Sequence, residues 1–349
     1  MKIFVIPIEP IDNRYTKQWY ENIPLLIKNY NNSVDVVTID GDPVPNNTTS
    51  GAFLDFAATN YYKASQAAKI SQMFMNGEVN AGDRFLVTDA WNFVITPIKY
   101  SSELLDIPVE IHSIWHAGAY DPSDILGMKM SKMWPENTER SWFYASDANY
   151  FATDFHKNMF LKNLEIPAEY QYKAIKSGQP HELIVDSLES LSDTVKEKTV
   201  IWPHRYNADK QPDIIEDISL NLPVTITQKL ELKKSDYYKK LAKSQVIFSC
   251  SLHENLGISV MEAVLCNTIP VLPDRCSYSE MYYKEFLYPS EWTKDYNCYQ
   301  KHKQDLLDFI NERMQNSEKY SDILESQKQI LKTDYLSSKT MIENLLNGN

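Results

Sequence analysis

The sequence is poor in glycine and cysteine and has no long apolar run. Only 9 of its 349 residues are glycine, which argues against glycine-dense phosphate loops and flexible linkers. The 4 cysteines form no C-x-x-C pair, so no disulfide framework is indicated. No stretch reaches the roughly 18 apolar residues of a membrane-spanning helix. The opening MKIFVIPIEP is too short for a signal-peptide core, and we expect a cytoplasmic location.

Basic residues are outnumbered by acidic ones, with 35 Lys and Arg against 47 Asp and Glu, and the formal net charge is -12. An acidic surface repels phosphate backbones and disfavours broad, sequence-independent nucleic-acid binding. A local basic cleft remains compatible with this charge, because nearby groups set the field at a site. The hydrophobic fraction of 43% supports packed cores, and the length favours two domains.

Apolar segments with strand and helix spacing alternate along the chain, which favours parallel sheets. We therefore predict an α/β protein with two Rossmann-like, doubly wound domains that face each other across a cleft. A polar stretch at 177–198 marks the boundary. The predicted domains are 1–178 and 179–330, followed by a C-terminal helix at 331–349 that packs back on the first domain. In the first domain, the spacing of Trp19, Ile23, Leu26 and Ile27 predicts a helix, and a strand is expected at 85–91. Further helices are expected to begin near Ala52 and near Asp147.

Ligands in doubly wound sheets bind at the carboxyl ends of the strands, where the segment WPHRYNADKQP (202–212) places two cations. Arg205 can hold a diphosphate through its planar fork, and Lys210 can act as a point charge. The alternative is a pair of solvated surface charges.

The segment SCSLHENLGISVMEAV (249–264) carries two carboxylates after another predicted strand. Glu254 ends the loop, and free backbone N–H groups at the following helix start attract phosphate. In the alternative interpretation, Glu254 has no role other than to complement the helix dipole. Glu262 lies within an apolar helix, where a carboxylate is costly without a partner.

Together, HENLGISVMEA followed by NTIPVLP resembles the E-x7-E signature of retaining glycosyltransferases of the GT-B fold. The upstream R-x4-K pair is similar to the diphosphate clamp of that family, and the resemblance covers about 198–285. It implies a metal-independent, retaining hexosyl- or pentosyltransferase that uses a nucleotide-diphosphate sugar, expected to be a UDP-sugar, and no cofactor. In such a site Glu262 would bind the ribose and Glu254 the transferred sugar. The implied donor-binding residues are Arg205, Lys210, Glu254, Asn255, Leu256, Gly257, Ile258 and Glu262.

The resemblance implies catalytic roles for Glu254 and, in the first domain, for His116. Family members carry a histidine after the strand that corresponds to the one before His116. His112 lies earlier in that strand and is interpreted as structural. The family's glycine-rich loop after the first strand is replaced here by EPIDNRYTK (9–17). Arg14 would either take over its phosphate contact, bind the acceptor, or lie exposed without a role.

Two rival interpretations stay open. The sequence Asp40-Gly41-Asp42 resembles the manganese-binding D-x-D of single-domain glycosyltransferases, although DGD is also an ordinary turn, which we prefer. The second rival interpretation is a protein that binds a nucleotide sugar without catalysis. Turnover of the donor would show that the protein is an enzyme instead.

The acceptor is the least determined part. WPHRYNADKQP is similar to a segment of tRNA-queuosine mannosyltransferases. The overall composition, with few Gly and many Asn, Lys and Tyr, resembles that of glycosyltransferases of large tailed bacteriophages that modify hydroxymethylated DNA bases. We hypothesise a hydroxymethylated base in phage DNA. The alternatives are a modified tRNA base and a cell-surface lipid or polysaccharide. Basic and aromatic residues of the first domain would contact phosphates and an extruded base: Arg14, Lys17, Lys129, Lys132, Trp134 and Arg140.

The segment MKMSKMWPENTER (128–140), which carries the last four of these residues, has a second interpretation. It is a solvated helix whose methionines face the core. The oligomeric state is left open.

Overall fold

The computed structural model describes residues 1–11, 14–45, 49 and 54–348. The chain divides into two compact units, the first made of Met1–Pro180 and Ser337–Asn349 and the second of His181–Leu336. The sequence analysis placed the boundary after residue 178 and separated 331–349. The structure divides the chain two residues later and keeps 331–336 with the second unit.

The first unit is built on a six-stranded parallel sheet in the order β2-β1-β3-β4-β5-β6. Its strands are β1 (Lys2–Ile6), β2 (Asp35–Thr38), β3 (Arg84–Val87), β4 (Glu110–Ile114), β5 (Ala148–Phe151) and β6 (Ala174–Lys176). Its helices before the boundary are α1 (Tyr15–Tyr30), α2 (Phe56–Met75), α3 (Ile95–Leu104), α4 (Ile125–Lys129), α5 (Met133–Ala145) and α6 (Asp154–Asn163).

The second unit is built on a five-stranded parallel sheet in the order β11-β10-β9-β7-β8. The strands are β7 (Glu197–Trp202), β8 (Val224–Ile226), β9 (Ser244–Phe248), β10 (Ile269–Pro273) and β11 (Leu287–Tyr288). The helices are α7 (Glu182–Glu189), α8 (Pro212–Ile218), α9 (Lys234–Lys243), α10 (Ile258–Leu265), α11 (Tyr278–Met281), α12 (Tyr296–Gln315) and α13 (Ser321–Ile330). The prediction of an α/β protein with two parallel sheets is confirmed.

The last helix, α14 (Lys339–Asn347), belongs to the first unit. Its apolar residues Met341, Ile342 and Leu345 share a buried cluster with Trp19 of α1. Arg84 Nη1 also donates to the Leu345 carbonyl oxygen at 2.6 Å. Helical spacing of apolar residues therefore attaches the chain's end to the sheet that its beginning forms.

Of the two helix starts predicted for the first domain, one is wrong and the other lies outside the described residues. The one near Asp147 is wrong, because Asp147 precedes the fully buried strand β5 and α6 begins only at Asp154. Thr153 Oγ1 accepts the His156 N–H at 3.1 Å and so caps α6. The one near Ala52 lies outside the described residues, and α2 begins at Phe56.

Across the described ranges, no helix is both long enough and apolar enough to cross a membrane.

Candidate functional site

Lys210 and Glu254, 44 residues apart in sequence, contact each other beside the loops that follow β7 and β9. Lys210 Nζ lies 3.2 Å from Glu254 Oε2 and donates to the His253 carbonyl oxygen at 2.6 Å. The two loops are tied together by the Leu252 N–H, which donates to the Asp209 carbonyl oxygen at 2.7 Å. The Lys210 side chain is buried, so its charge acts in a medium that screens poorly.

This contact holds both groups in their charged forms. Burial acts to lower the pKa of Lys210, but the carboxylates of Glu254 and Asp209 outweigh it, so the net shift is upward. Burial acts to raise the pKa of Glu254, but the charge of Lys210 outweighs it and the pKa falls to about 2. An ammonium and a carboxylate are therefore both present at neutral pH.

Glu254 also organises the start of α10. Its Oε1 accepts the Gly257 N–H at 2.9 Å. Gly257 has a φ of +79° at the N-cap of α10, a conformation that L side chains rarely adopt. A Cβ there would lie 2.9 Å from Tyr278 Cε1. Glycine is thus required between the carboxylate and the helix, with Leu256 buried before it and Ile258 opening α10.

Glu262 is buried on α10 and has its partners on α9. Lys234 Nζ lies 2.8 Å from Oε1, and the hydroxyls of Tyr238 and Tyr237 donate to Oε1 and Oε2 at 3.1 Å and 3.2 Å. The carboxylate predicted in an apolar helix therefore has the partner that its burial requires. A ribose hydroxyl would have to share or displace these donors.

His204 lies directly before Arg205 and is buried. Burial, reinforced by the charge of Lys210, lowers the pKa of His204 to about 3, so this ring is neutral. Its Nε2 has no hydrogen-bond partner among the described residues. Arg205 itself is half-buried. Asn255 is half-buried as well.

In the first unit, both ring nitrogens of His116 are engaged. Nε2 donates to the Thr88 carbonyl oxygen at 2.8 Å, and Nδ1 lies 3.3 Å from Gln179 Nε2. Burial lowers the pKa of His116, although Asp89 and the Thr88 carbonyl act in the opposite direction. A neutral ring with Nε2 protonated satisfies both bonds. In this arrangement His116 is held by its own unit.

Sequence reasoning missed a buried ion pair next to this histidine. Lys63 Nζ of α2 lies 2.6 Å from Asp89 Oδ2 and donates to the Trp91 carbonyl oxygen at 2.7 Å. Asp89 follows β3 closely, where charged residues were sought. The predicted strand at 85–91 included Asp89, so this residue was not considered as one that follows a strand. In the structure β3 already ends at Val87.

The loops after β1 and β2 form a cavity lined by carboxylates. Asp40 Oδ2 accepts the Tyr20 hydroxyl at 2.9 Å, whereas Asp42 Oδ1 pairs with Lys69 at 2.8 Å. Asp40 lines the cavity together with Glu9. Among the described residues, no group of three or more His, Cys, Asp or Glu side chains could hold a metal ion.

The basic and aromatic residues of the first unit are spread over α1, α4 and α5. Lys129 and Lys132 are exposed, and Trp134 is 53% exposed. The interpretation that buries the methionines of this segment is wrong for Met128 and Met133, which are exposed. Their helices are short or interrupted, so no continuous apolar face forms.

The remaining predicted acceptor-side cations lie elsewhere. Arg140 donates through Nε to the Leu164 carbonyl oxygen at 2.7 Å. Arg14 is the half-buried N-cap residue of α1, and Lys17 is exposed on that helix. Residues 12 and 13 of the loop before α1 lie outside the described residues.

No protein-family model matches the chain. A tRNA-queuosine alpha-mannosyltransferase of Drosophila melanogaster is 29% identical over 119 residues, which is 26% of this chain and 32% of that protein. The match thus spans about a third of that relative's length.

Solved structures show the fold. An alpha,alpha-trehalose-phosphate synthase (UDP-forming) from Burkholderia vietnamiensis is similar with a TM-score of 0.62, 11% identity, and coverage of 99% of this chain and 97% of that one. The pneumococcal O-GlcNAc transferase GtfA, in complex with UDP and GlcNAc, is similar with a TM-score of 0.53, 13% identity, and coverage of 81% and 61%. The predicted GT-B fold of glycosyltransferases is confirmed.

Proposed function

We propose that this chain is a glycosyltransferase that moves a sugar from a nucleoside-diphosphate sugar to a hydroxyl group. The observation that carries the proposal is the buried contact of Lys210 with Glu254, whose other oxygen accepts the Gly257 N–H. It joins a cation and a carboxylate at the head of α10, as the sequence motifs predict. The fold shared with glycosyltransferases supports it.

The chemistry follows from the charges. Cleavage of the donor leaves negative charge on the diphosphate while positive charge grows on the sugar ring. Fixed cations next to the diphosphate lower this barrier, which is the role of Lys210 and Arg205. A phosphate oxygen would replace Asp209, whose Oδ2 lies 3.2 Å from Lys210 Nζ and which is more exposed than Glu254.

Glu254 and Glu262 would accept hydrogen bonds from hydroxyls of the transferred sugar and of the ribose. UDP is the expected nucleotide, since GtfA binds UDP and the trehalose-phosphate synthase is UDP-forming. Retention of the anomeric configuration and independence of metal complete the proposal.

The test is turnover of radiolabelled UDP-sugars, with GDP-mannose as a second donor class. We expect release of the nucleoside diphosphate with chelator present, and a product linkage with the donor's anomeric configuration by proton NMR. The Glu254→Gln protein serves as the inactive control. Donor binding without turnover under every condition would instead identify a nucleotide-sugar-binding protein. Strict dependence on manganese would favour Asp40 and Asp42.

For the acceptor we propose a hydroxyl on a modified nucleobase, with hydroxymethylated DNA as the first hypothesis. Exposed Lys129 and Lys132 can contact phosphates, and exposed Trp134 offers a ring face for a base. The similarity to a tRNA-queuosine mannosyltransferase favours a tRNA base as the second candidate.

A transfer assay should compare four acceptors: hydroxymethylated DNA, unmodified DNA, queuosine tRNA and a lipid-linked acceptor. Labelling of hydroxymethylated DNA but not of unmodified DNA supports the first hypothesis. Labelling of tRNA alone selects the second candidate. Labelling of the lipid alone rejects both and leaves the glycosyltransferase proposal standing.

A further inference from the structure

A cavity of about 320 Å³ lies in the first unit, beside the segments that follow β1 and β2. Its polar lining consists of Glu9, Tyr20, Asp40, Asp55 and Tyr62. Its apolar lining includes several prolines, which make the wall stiff and unable to donate backbone hydrogen bonds. The mechanism proposed for the second unit uses none of these residues.

Two carboxyl oxygens of this lining, Glu9 Oε2 and Asp40 Oδ1, have no partner at hydrogen-bond distance among the described residues. The Thr59 side chain lies near Glu9 and acts to lower its pKa, but its hydroxyl is also without a partner at that distance. The Glu9 side chain is 4% exposed, so water does not readily solvate it. Buried polar atoms in native proteins are nearly always satisfied, and an unsatisfied one needs an explanation. A ligand that brings hydrogen-bond donors into the cavity is such an explanation.

The charge of the lining restricts that ligand. Glu9, Asp40 and Asp55 contribute carboxyl groups, and no Lys or Arg is among the described residues that line the cavity. Asp55 Oδ1 accepts the N–H groups of Ala57 and Ala58, so it already serves as the cap of α2. Two lysines lie nearby outside this lining, and both already have partners: Lys69 Nζ lies 3.0 Å from the Asp40 carbonyl oxygen and 2.8 Å from Asp42 Oδ1, and Lys63 pairs with Asp89. A phosphate or carboxylate in the cavity would therefore meet like charge from the lining itself. Hydroxyl and ammonium groups supply the donors that Glu9 and Asp40 require.

We propose that this cavity binds a hydroxyl-rich group without negative charge, with Glu9 Oε2 and Asp40 Oδ1 accepting its hydroxyl or ammonium hydrogens. Tyr62, with a buried side chain, lines the cavity beside them. The role of the cavity as the acceptor subsite rests on the proposed glycosyltransferase function. An acceptor that carries phosphates would then place its hydroxyl-bearing group here and its phosphates elsewhere.

The test measures binding of three hexoses that differ in charge: glucosamine, glucose and glucose 6-phosphate. Ligand-observed NMR on the full-length protein reports each dissociation constant. We expect glucosamine to bind tighter than glucose, and glucose 6-phosphate not to bind. Glu9→Gln and Asp40→Asn each turn an acceptor oxygen into an amide donor at constant shape. Each should weaken glucosamine binding about tenfold, as expected for a lost hydrogen bond to a charged group.

Glu21→Gln is the matched control, because Glu21 is exposed on α1 next to Tyr20 and does not line the cavity. It should bind glucosamine like the wild type. Tighter binding of glucose 6-phosphate than of glucose would overturn the proposal. Failure of all three hexoses to bind, or equal binding by wild type and both cavity variants, would overturn it too.

Hydrolysis of UDP-sugars without acceptor separates this proposal from the proposed function. If the wild type hydrolyses donor but binds no hexose, only the cavity proposal fails. If it binds glucosamine through Glu9 and Asp40 but never turns over a donor, only the glycosyltransferase proposal fails.

Discussion

The carboxylates of the two candidate sites are satisfied differently. In the second unit, Glu254 and Glu262 are each paired with a lysine and accept further hydrogen bonds. In the first unit, Glu9 and Asp40 keep one oxygen each without a partner among the described residues. The first arrangement fixes charges in advance, whereas the second leaves acceptor capacity for a ligand.

This difference matches the work that each site would do. A departing diphosphate needs cations that are in place before the reaction, since reorganisation would raise the barrier. A subsite that binds hydroxyl groups needs hydrogen-bond acceptors that have no partner in the protein. Such a subsite rejects a ligand that lacks the hydroxyls, because the buried acceptors would then stay unpaired.

Lys210→Met removes the cation of the second unit's site. Glu254 would then be a buried charge without its partner, and stability should fall by about 3–5 kcal/mol. Donor turnover should fall by about 100- to 1,000-fold. Urea unfolding and UDP-sugar hydrolysis measure the two effects.

Lys229→Met is the control for this change, because Lys229 pairs with Glu216 at the surface of the same unit. An exposed pair contributes about 0–1 kcal/mol. Adding Glu254→Gln to Lys210→Met should restore part of the stability and none of the turnover. Equal destabilisation by Lys210→Met and Lys229→Met would contradict a preformed site.

A second change tests whether the paired carboxylate of α10 also serves a ligand. Glu262→Gln should weaken UDP binding about tenfold if ribose hydroxyls bind the carboxylate. Lys234→Met is its counterpart, since it breaks the same ion pair but keeps the carboxylate. Calorimetric titration with UDP should show wild-type affinity in Lys234→Met. Unchanged affinity in Glu262→Gln would remove Glu262 from the donor site.

The stability of the two units should depend on pH with opposite sign, because the pKa values of particular groups shift in opposite directions on folding. Folding lowers the pKa of His204 from 6.5 to about 3 and that of Glu254 from 4.5 to about 2. As the pH falls, the unfolded chain therefore binds these protons at a higher pH than the folded chain does. The stabilising contribution of His204 is therefore lost as the pH falls below 6.5, and that of Glu254 as the pH falls below 4.5. Burial raises the pKa of Glu139 from 4.5 to about 7 in the first unit. Its contribution is lost as the pH rises from 4.5 through 7.

Urea unfolding at about pH 5 and about pH 7.5 checks both signs. His204→Gln should reduce the loss of stability in acid, and Glu139→Gln should reduce the loss towards neutral pH. If Glu139→Gln leaves the difference between the two pH values unchanged, its carboxyl titrates alike in folded and unfolded chains.

The smallest expected effect concerns the exposed basic segment of the first unit. Reversing Lys129 and Lys132 to Glu should lower the slope of log affinity against log salt by about 0.9 for each lost contact to duplex DNA. Lys162→Glu, on the exposed side of α6, controls for net charge. An equal slope in both proteins would exclude phosphate contacts at Lys129 and Lys132.

Regular periodicity was predicted well because it depends on local spacing. Trp19, Ile23, Leu26 and Ile27 of α1 are buried as their helical spacing indicates. The strand at β5 was mistaken for the start of a helix, because a strand buried on both faces lacks alternation. Asp89 was missed through a strand end placed too late, and the errors thus lie at element ends.

The site was predicted in its residue types but not in its contacts. Lys210 and Glu254 were proposed as parts of one site, whereas the His253 carbonyl that also binds Lys210 gave no sequence signal. The α9 partners of Glu262 were equally unforeseen, since a segment rich in lysine and tyrosine is also typical of an exposed helix.

The two parallel sheets and the positions of E-x7-E and R-x4-K at strand ends could be predicted from the sequence, because backbone periodicity and motif order are local properties. Which charged groups contact each other depends on the three-dimensional fold. Lys210 reaches Glu254, and Glu9 and Asp40 share a cavity, because neighbouring strands bring distant loops together. Lys234 reaches Glu262 because α9 and α10 lie against each other. Pairing energies depend on burial and on separations of a few ångströms, and the order of residues along the chain does not specify these.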